Sequence, residues 1–173
     1  MVKFGTGGWR AIIGDEFIKA NIVTLAQAVA DDIIENKEEK NGIVIGYDRR
    51  FLSDFAAKWV AEVFAGYGIT VHFIDRIAPT PLVMYGVKTL DTFYGMAITA
   101  SHNPAEYNGI KVFTRGGRDA DISVTREFEK RIEKSIVLDS KESRNVEPAQ
   151  VHEVRVPEKE ERNKVVQDRT RDE

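Results

Sequence analysis

The stretch GIVIGYDRRFLSDFAAKWVAEVFAGYGITVHFI, residues 42–74, decides the fold. Residues 42–47 form a short, nearly continuous apolar run, the pattern of a strand covered on both faces. Phe55, Ala56, Trp59, Val60, Val63 and Phe64 then recur at helical spacing and predict a helix over residues 54–65, stopped by Gly66 and Gly68. A second strand follows at residues 70–74. Strand, helix and strand in this order form a right-handed crossover unit, which places the two strands parallel in one sheet.

The same alternation extends in both directions. Upstream, Ile18, Ile22, Leu25, Ala26, Val29 and Ile33 mark one apolar stripe and predict a helix over residues 19–36. Downstream, Pro79 and Pro81 bracket a turn before a weaker helical segment at 82–90 and a buried strand at 94–99. An irregular loop at 100–108, a strand at 109–113, a turn at Gly116-Gly117 and a helix carrying Val124, Phe128, Ile132 and Ile136 complete the pattern. The expectation is an α/β domain over residues 1–138, built on a mainly parallel mixed sheet sandwiched between helices. Beyond it, 18 of the 35 residues from 139 to 173 are Asp, Glu, Lys or Arg and none is aromatic, so that stretch is expected to be a charged linker or tail.

Composition narrows the function. The chain has 173 residues, 42% hydrophobic and 31% charged, which is ordinary globular usage and enough for one buried core. A net charge of -3 argues against nucleic acid as the main partner, because that requires clustered positive charge. No apolar run approaches the roughly 20 residues of a membrane span, and no signal peptide is visible, so no membrane partner and a cytoplasmic location are expected. With no cysteine there is neither a disulfide framework nor a thiolate metal site.

Three segments carry polar chemistry at the ends of predicted strands. The loop Thr99-Ala-Ser-His-Asn-Pro104 follows a buried strand, where open α/β sheets place their ligand sites. Ser101 is a potential nucleophile there, His102 is its neighbour, and Lys111 is a cation or acid/base group on the next strand. The alternative is an ordinary Asn-Pro turn that Ser101 caps. The loop lacks both glycines of the G-x-S-x-G elbow, so serine-hydrolase chemistry is discounted. Phe4-Gly-Thr-Gly-Gly-Trp-Arg10 offers glycines for close anion approach and Arg10 as a planar donor fork, or else a flexible turn with an exposed arginine. In Gly46-Tyr-Asp-Arg-Arg50, Asp48 is placed to orient an arginine, or to form a surface ion pair. Metal ligation looks poor, since the three histidines lie far apart and Asp119 with Asp121 is a lone pair.

Taken together, these three segments, the last extended through Ala-Glu-Tyr-Asn-Gly-Ile-Lys111, resemble the first domain of the α-D-phosphohexomutase family over about residues 1–138. The resemblance implies that Ser101 carries a phosphoryl group, one of whose oxygens ligates Mg2+, with the main carboxylate ligands outside this chain. It implies catalytic roles for Lys111, Arg10 and His102, and phosphate or substrate contacts for Asn103 and Arg50. It implies interconversion of hexose 1-phosphates and 6-phosphates through a hexose 1,6-bisphosphate, with hexose phosphates and the enzyme's remaining domains as partners. The family's separate metal, sugar and C-terminal phosphate loops are not in the sequence, so the chain is expected to fold but not to turn over by itself. The alternatives are a stand-alone, non-catalytic domain that binds phosphosugars or a protein, and, within the family, a phosphoglucosamine mutase.

Overall fold

The computed structural model describes residues 2–5, 8–138 and 151–154. Eleven elements alternate along them: β1 (Trp9–Ile12), α1 (Lys19–Glu35), β2 (Ile43–Tyr47), α2 (Ser53–Gly66), β3 (Val71–Ile74), α3 (Thr80–Thr89), β4 (Tyr94–Ile98), β5 (Tyr107–Thr114), β6 (Arg118–Asp119), α4 (Ile122–Leu138) and β7 (Val151–Val154).

The strands form one sheet in the order β1-β5-β4-β2-β3-β7, with the short β6 on β5. β4, β2, β3 and β7 are mutually parallel, while β5 runs against both β4 and β1. This is the mainly parallel mixed sheet that the crossover pattern predicts. Its central strands are buried on both faces, which is why β2 and β4 read as unbroken apolar runs. On one face, Ile22, Leu25, Val29, Val60, Phe64, Phe128 and Ile132 of α1, α2 and α4 pack on Ile43, Ile45, Met96, Ile98, Ile110 and Val112. On the other face, among the described residues, α3 packs alone, through Val83 and Val87 on Val44, Ala97 and Phe113.

Several strands differ from expectation. β1 was not predicted, because four residues after a glycine-rich run carry little periodic signal; here Trp9 and Ala11 point into the core in strict alternation, paired with Ile110 and Asn108. β5 begins at Tyr107 rather than at 109, taking in two polar residues that read as loop. Within the charged stretch after 138, Val151–Val154 adds a parallel strand beside β3. The rest of that stretch lies outside the described residues.

A polar tie joins the layers on the three-helix face. The Tyr94 hydroxyl donates to Asp32 Oδ2 at 2.7 Å, and Arg131 on α4 reaches Asp32 Oδ1 at 3.0 Å and Glu35 Oε2 at 2.7 Å on α1. Burial and the adjacent Asp32 carboxylate raise the Tyr94 phenol well above its ordinary value.

Candidate functional site

Because β2, β3 and β4 are parallel, the segments that follow them emerge at the same end of the sheet. The segment after β4 is the Ser101 loop. Thr99 is buried and its hydroxyl accepts the Ser101 N–H at 2.9 Å, while its own N–H donates to the Gly109 carbonyl at 2.9 Å. Ser101 itself is exposed and sits at φ 58°, in the left-handed region. For a non-glycine residue that conformation costs roughly 1–3 kcal/mol and persists only where the surroundings impose it. The Asn103 N–H closes the turn on the Ala100 carbonyl at 3.1 Å.

Arg50, from the segment after β2, grips the loop from one side. Its two terminal nitrogens donate to four carbonyls of the loop: Pro104 at 2.8 Å and Tyr107 at 2.9 Å from one, Ser101 at 3.0 Å and Asn103 at 2.5 Å from the other. Nε faces Asp48 Oδ2 at 3.6 Å, and the other oxygen of Asp48 accepts the Arg50 N–H and the Ser53 hydroxyl, each at 2.9 Å. Arg50, expected on a phosphate, is correspondingly engaged with main chain, and all four of its terminal N–H groups are occupied. Asn108 completes the frame. Fully buried, it donates to the Phe51 carbonyl at 3.0 Å and the Ser53 hydroxyl at 2.9 Å, and accepts the Gly109 N–H at 2.8 Å.

Lys111 and Arg10 lie on the strands behind the loop. Ile110 and Val112 point toward α1 and α2, so the alternation of β5 puts Lys111 on the opposite face. The register pairs Arg10 with Gly109, which places Arg10 on that same face as a diagonal neighbour of Lys111, about 7–8 Å away. The Lys111 ammonium pairs with Asp119 at 3.1 Å, an exposed carboxylate on β6. Arg10 has no ion pair among the described residues, and its Nε is buried without a hydrogen-bond partner. Neither cation bonds to the Ser101 loop among the described residues. His102 is exposed, and its side chain makes no hydrogen bond among them. An open groove of ≈ 810 Å³ lies beside the loop, walled by Phe51, Ile77 and Pro79, with Arg49 and Asn103 on its lining.

Among the described residues no three His, Asp or Glu side chains cluster to hold a metal ion. Magnesium takes about six oxygens, commonly one or two carboxylates with phosphate and water. The described residues therefore do not make a magnesium site by themselves. No helix among the described residues is long and apolar enough to cross a membrane.

Thr99, Asn108, Asp48 and Ser53 form the scaffold of the site. Asp48 was legible as an arginine partner. The others carried no signal, since each acts through contacts with backbone or with distant side chains.

Comparison with known proteins gives one consistent picture. Residues 1–137 match the family model described as phosphoglucomutase/phosphomannomutase, alpha/beta/alpha domain I. The chain is 44% identical over 121 residues to a protein named "Probable phosphoribomutase" from Schizosaccharomyces pombe, covering 67% of this chain and 21% of that protein. It is 38% identical over 130 residues to a phosphoglucosamine/phosphogalactosamine mutase from Sulfurisphaera tokodaii, covering 75% of this chain and 27% of that one. The chain thus spans about a fifth to a quarter of the length of these relatives. The crystal structure of a protein named as a phosphomannomutase from Thermus thermophilus superposes with a TM-score of 0.77 at 30% identity, over 89% of this chain and 33% of that one. The open form of the Paramecium phosphoglucomutase parafusin, at 18% identity and TM-score 0.69 over 97% of this chain and 36% of that one, shares the fold.

Proposed function

Since the chain belongs to the phosphoglucomutase/phosphomannomutase family as its alpha/beta/alpha domain I, we propose that Ser101 is the phosphoryl carrier of a hexose-phosphate mutase whose remaining parts lie outside this chain. The observation that carries the reading is the posture of Ser101. It is an exposed hydroxyl in a left-handed turn past the end of β4, on a loop held by its backbone.

In the reaction a free hydroxyl oxygen of the sugar phosphate attacks phosphorus while the bond from phosphorus to Ser101 Oγ breaks. The hydroxyl proton leaves to a base and the freed serine oxygen takes a proton. The hexose 1,6-bisphosphate then turns around, and Ser101 receives the other phosphoryl group by the reverse exchange. The transition state spreads negative charge over the transferring oxygens, so positioning and cations supply the catalysis. Arg10, with a buried unpartnered Nε, and Lys111, beside it on the same face, are the cations proposed to meet that charge. His102 and Asn103, next to the serine, are proposed to contact the phosphoryl group and sugar. Binding of Mg2+ by the phosphoserine would depend on carboxylates outside this chain. The preferred sugar is left open, because the relatives named above act on different ones. The chain alone is proposed to accept a phosphoryl group without isomerising sugars.

Incubation with glucose 1,6-bisphosphate followed by mass spectrometry tests the reading. The expected result is a gain of about 80 Da located at Ser101 and absent from S101A. No gain in the wild-type chain, or an equal gain in S101A, would sink it.

A further inference from the structure

The two terminal nitrogens of Arg50 direct their donors at backbone carbonyls, while its Nε faces Asp48. We infer that Arg50 is a positioning residue for phosphoryl transfer: it sets the loop's peptide planes so that Ser101 and the N–H of His102 face outward together. The inference rests on the reading of Ser101 given above.

Three observations carry it. First, the hydrogen bonds are numerous and directed. A planar fork of two nitrogens takes four carbonyls within 2.5–3.0 Å, the bonds to Tyr107 and Asn103 part-buried and those to Pro104 and Ser101 exposed, while the arginine side chain as a whole is 15% exposed. Second, the arginine is itself held. Asp48 receives its N–H and faces its Nε, and the same carboxylate is fixed by the Ser53 hydroxyl at the start of α2. Third, the loop pays for its shape at Ser101, whose left-handed φ of 58° is otherwise unfavourable.

The consequence follows from peptide geometry. The Ser101 carbonyl points at Arg50, and across a planar trans peptide the following N–H points the opposite way. That N–H belongs to His102 and donates to no group among the described residues. A phosphoryl group on Ser101 would meet this free donor on the side away from the guanidinium. Arg50 contributes positive charge at a distance, but no hydrogen bond to the phosphate.

R50A and R50K separate this role from two others, substrate contact and general support of the fold. Lysine keeps the charge and offers three donors on one atom, which cannot span four carbonyls in a plane. Amide hydrogen exchange of the whole chain, read by mass spectrometry, is expected to quicken about tenfold or more in peptides covering residues 100–108 of both variants, with the sheet unchanged. Exchange there within twofold of wild type would overturn the inference. Phosphoryl uptake from glucose 1,6-bisphosphate supplies the second readout. Its limiting rate is expected to fall about tenfold or more, with the half-saturating concentration within about twofold. A raised half-saturating concentration with an unchanged limiting rate would make Arg50 a substrate contact and overturn it, as would full rescue by R50K. If R50A does not fold, R50K decides; if neither folds, Arg50 serves the whole fold and the inference fails. A wild-type chain that takes up no phosphoryl group counts against the reading of Ser101, while the exchange data still judge the clamp.

Discussion

Gly109 is the narrowest point of the site, and replacing it with alanine tests how the strands behind the loop are assembled. A Cβ at this position would lie 2.2 Å from the Trp9 carbonyl oxygen, 3.0 Å from that of Thr99 and 3.1 Å from Arg10 Cα. Ordinary contact begins at 3.4 Å, so the first of these is more than 1 Å too close. All three are backbone atoms and cannot rotate away. β1 must therefore separate from β5, or the Thr99 segment must shift, and either movement strains the register that pairs Arg10 with Gly109. Overpacking of this kind costs about 1–3 kcal/mol, and one or two weakened ladder hydrogen bonds add about 1 kcal/mol each. A total near 3 kcal/mol lowers the melting temperature by roughly 6–12 °C for a domain of this size. Calorimetry on the wild type and G109A measures it. Gly66 provides the control, because a Cβ there meets nothing within 4 Å, so G66A should leave stability unchanged or slightly raised. If G109A melts within 2 °C of wild type, the packing argument is wrong.

Other perturbations have equally definite outcomes. N108A strands the buried Gly109 N–H and the Phe51 carbonyl, so urea denaturation should show a loss of about 1–3 kcal/mol for each stranded group that finds no water. Asp121 caps α4 by accepting the N–H groups of Ser123 and Val124, and the Ser123 hydroxyl with these N–H groups holds its carboxyl below the ordinary value. Its stabilising effect is therefore present above about pH 4 and disappears as pH falls through the lowered folded value, so thermal melts of D121A and wild type should differ at pH 7 and converge in acid. Tyr94 shifts the other way: its raised phenol keeps its proton in the fold while the unfolded chain loses it near pH 10. Wild type should exceed Y94F by about 1.5–3 kcal/mol at pH 8, through the bond to the Asp32 carboxylate, and the gap should close as pH rises above 10.

The fold was legible wherever burial is periodic. α1 and α2 each bury one stripe and β2 and β4 bury both faces, so the spacing of their apolar residues reports the element directly. β1 escaped because two buried residues in four make too short a pattern, even though Trp9 is among the largest fully buried side chains. The start of β5 escaped for the opposite reason. Asn108 looks like loop because it is polar, yet its polarity serves bonds made entirely inside the protein. In the site, the position of Ser101 past a strand end and Asp48 as an arginine partner were visible, but the carbonyl partners of Arg50 were not. A side chain that grips carbonyls has no preference for the side chains those residues carry, so no residue type in the loop announces it.

That indifference has an engineering corollary. The conformation of residues 101–107 is written largely at Asp48, Arg50 and Ser53, some fifty positions upstream. Transplanting the loop by itself onto another scaffold should lose its shape, whereas a graft that brings both segments in register should keep it. The outward side chains at Ala105 and Glu106 are correspondingly free to be diversified without redesigning the backbone beneath them.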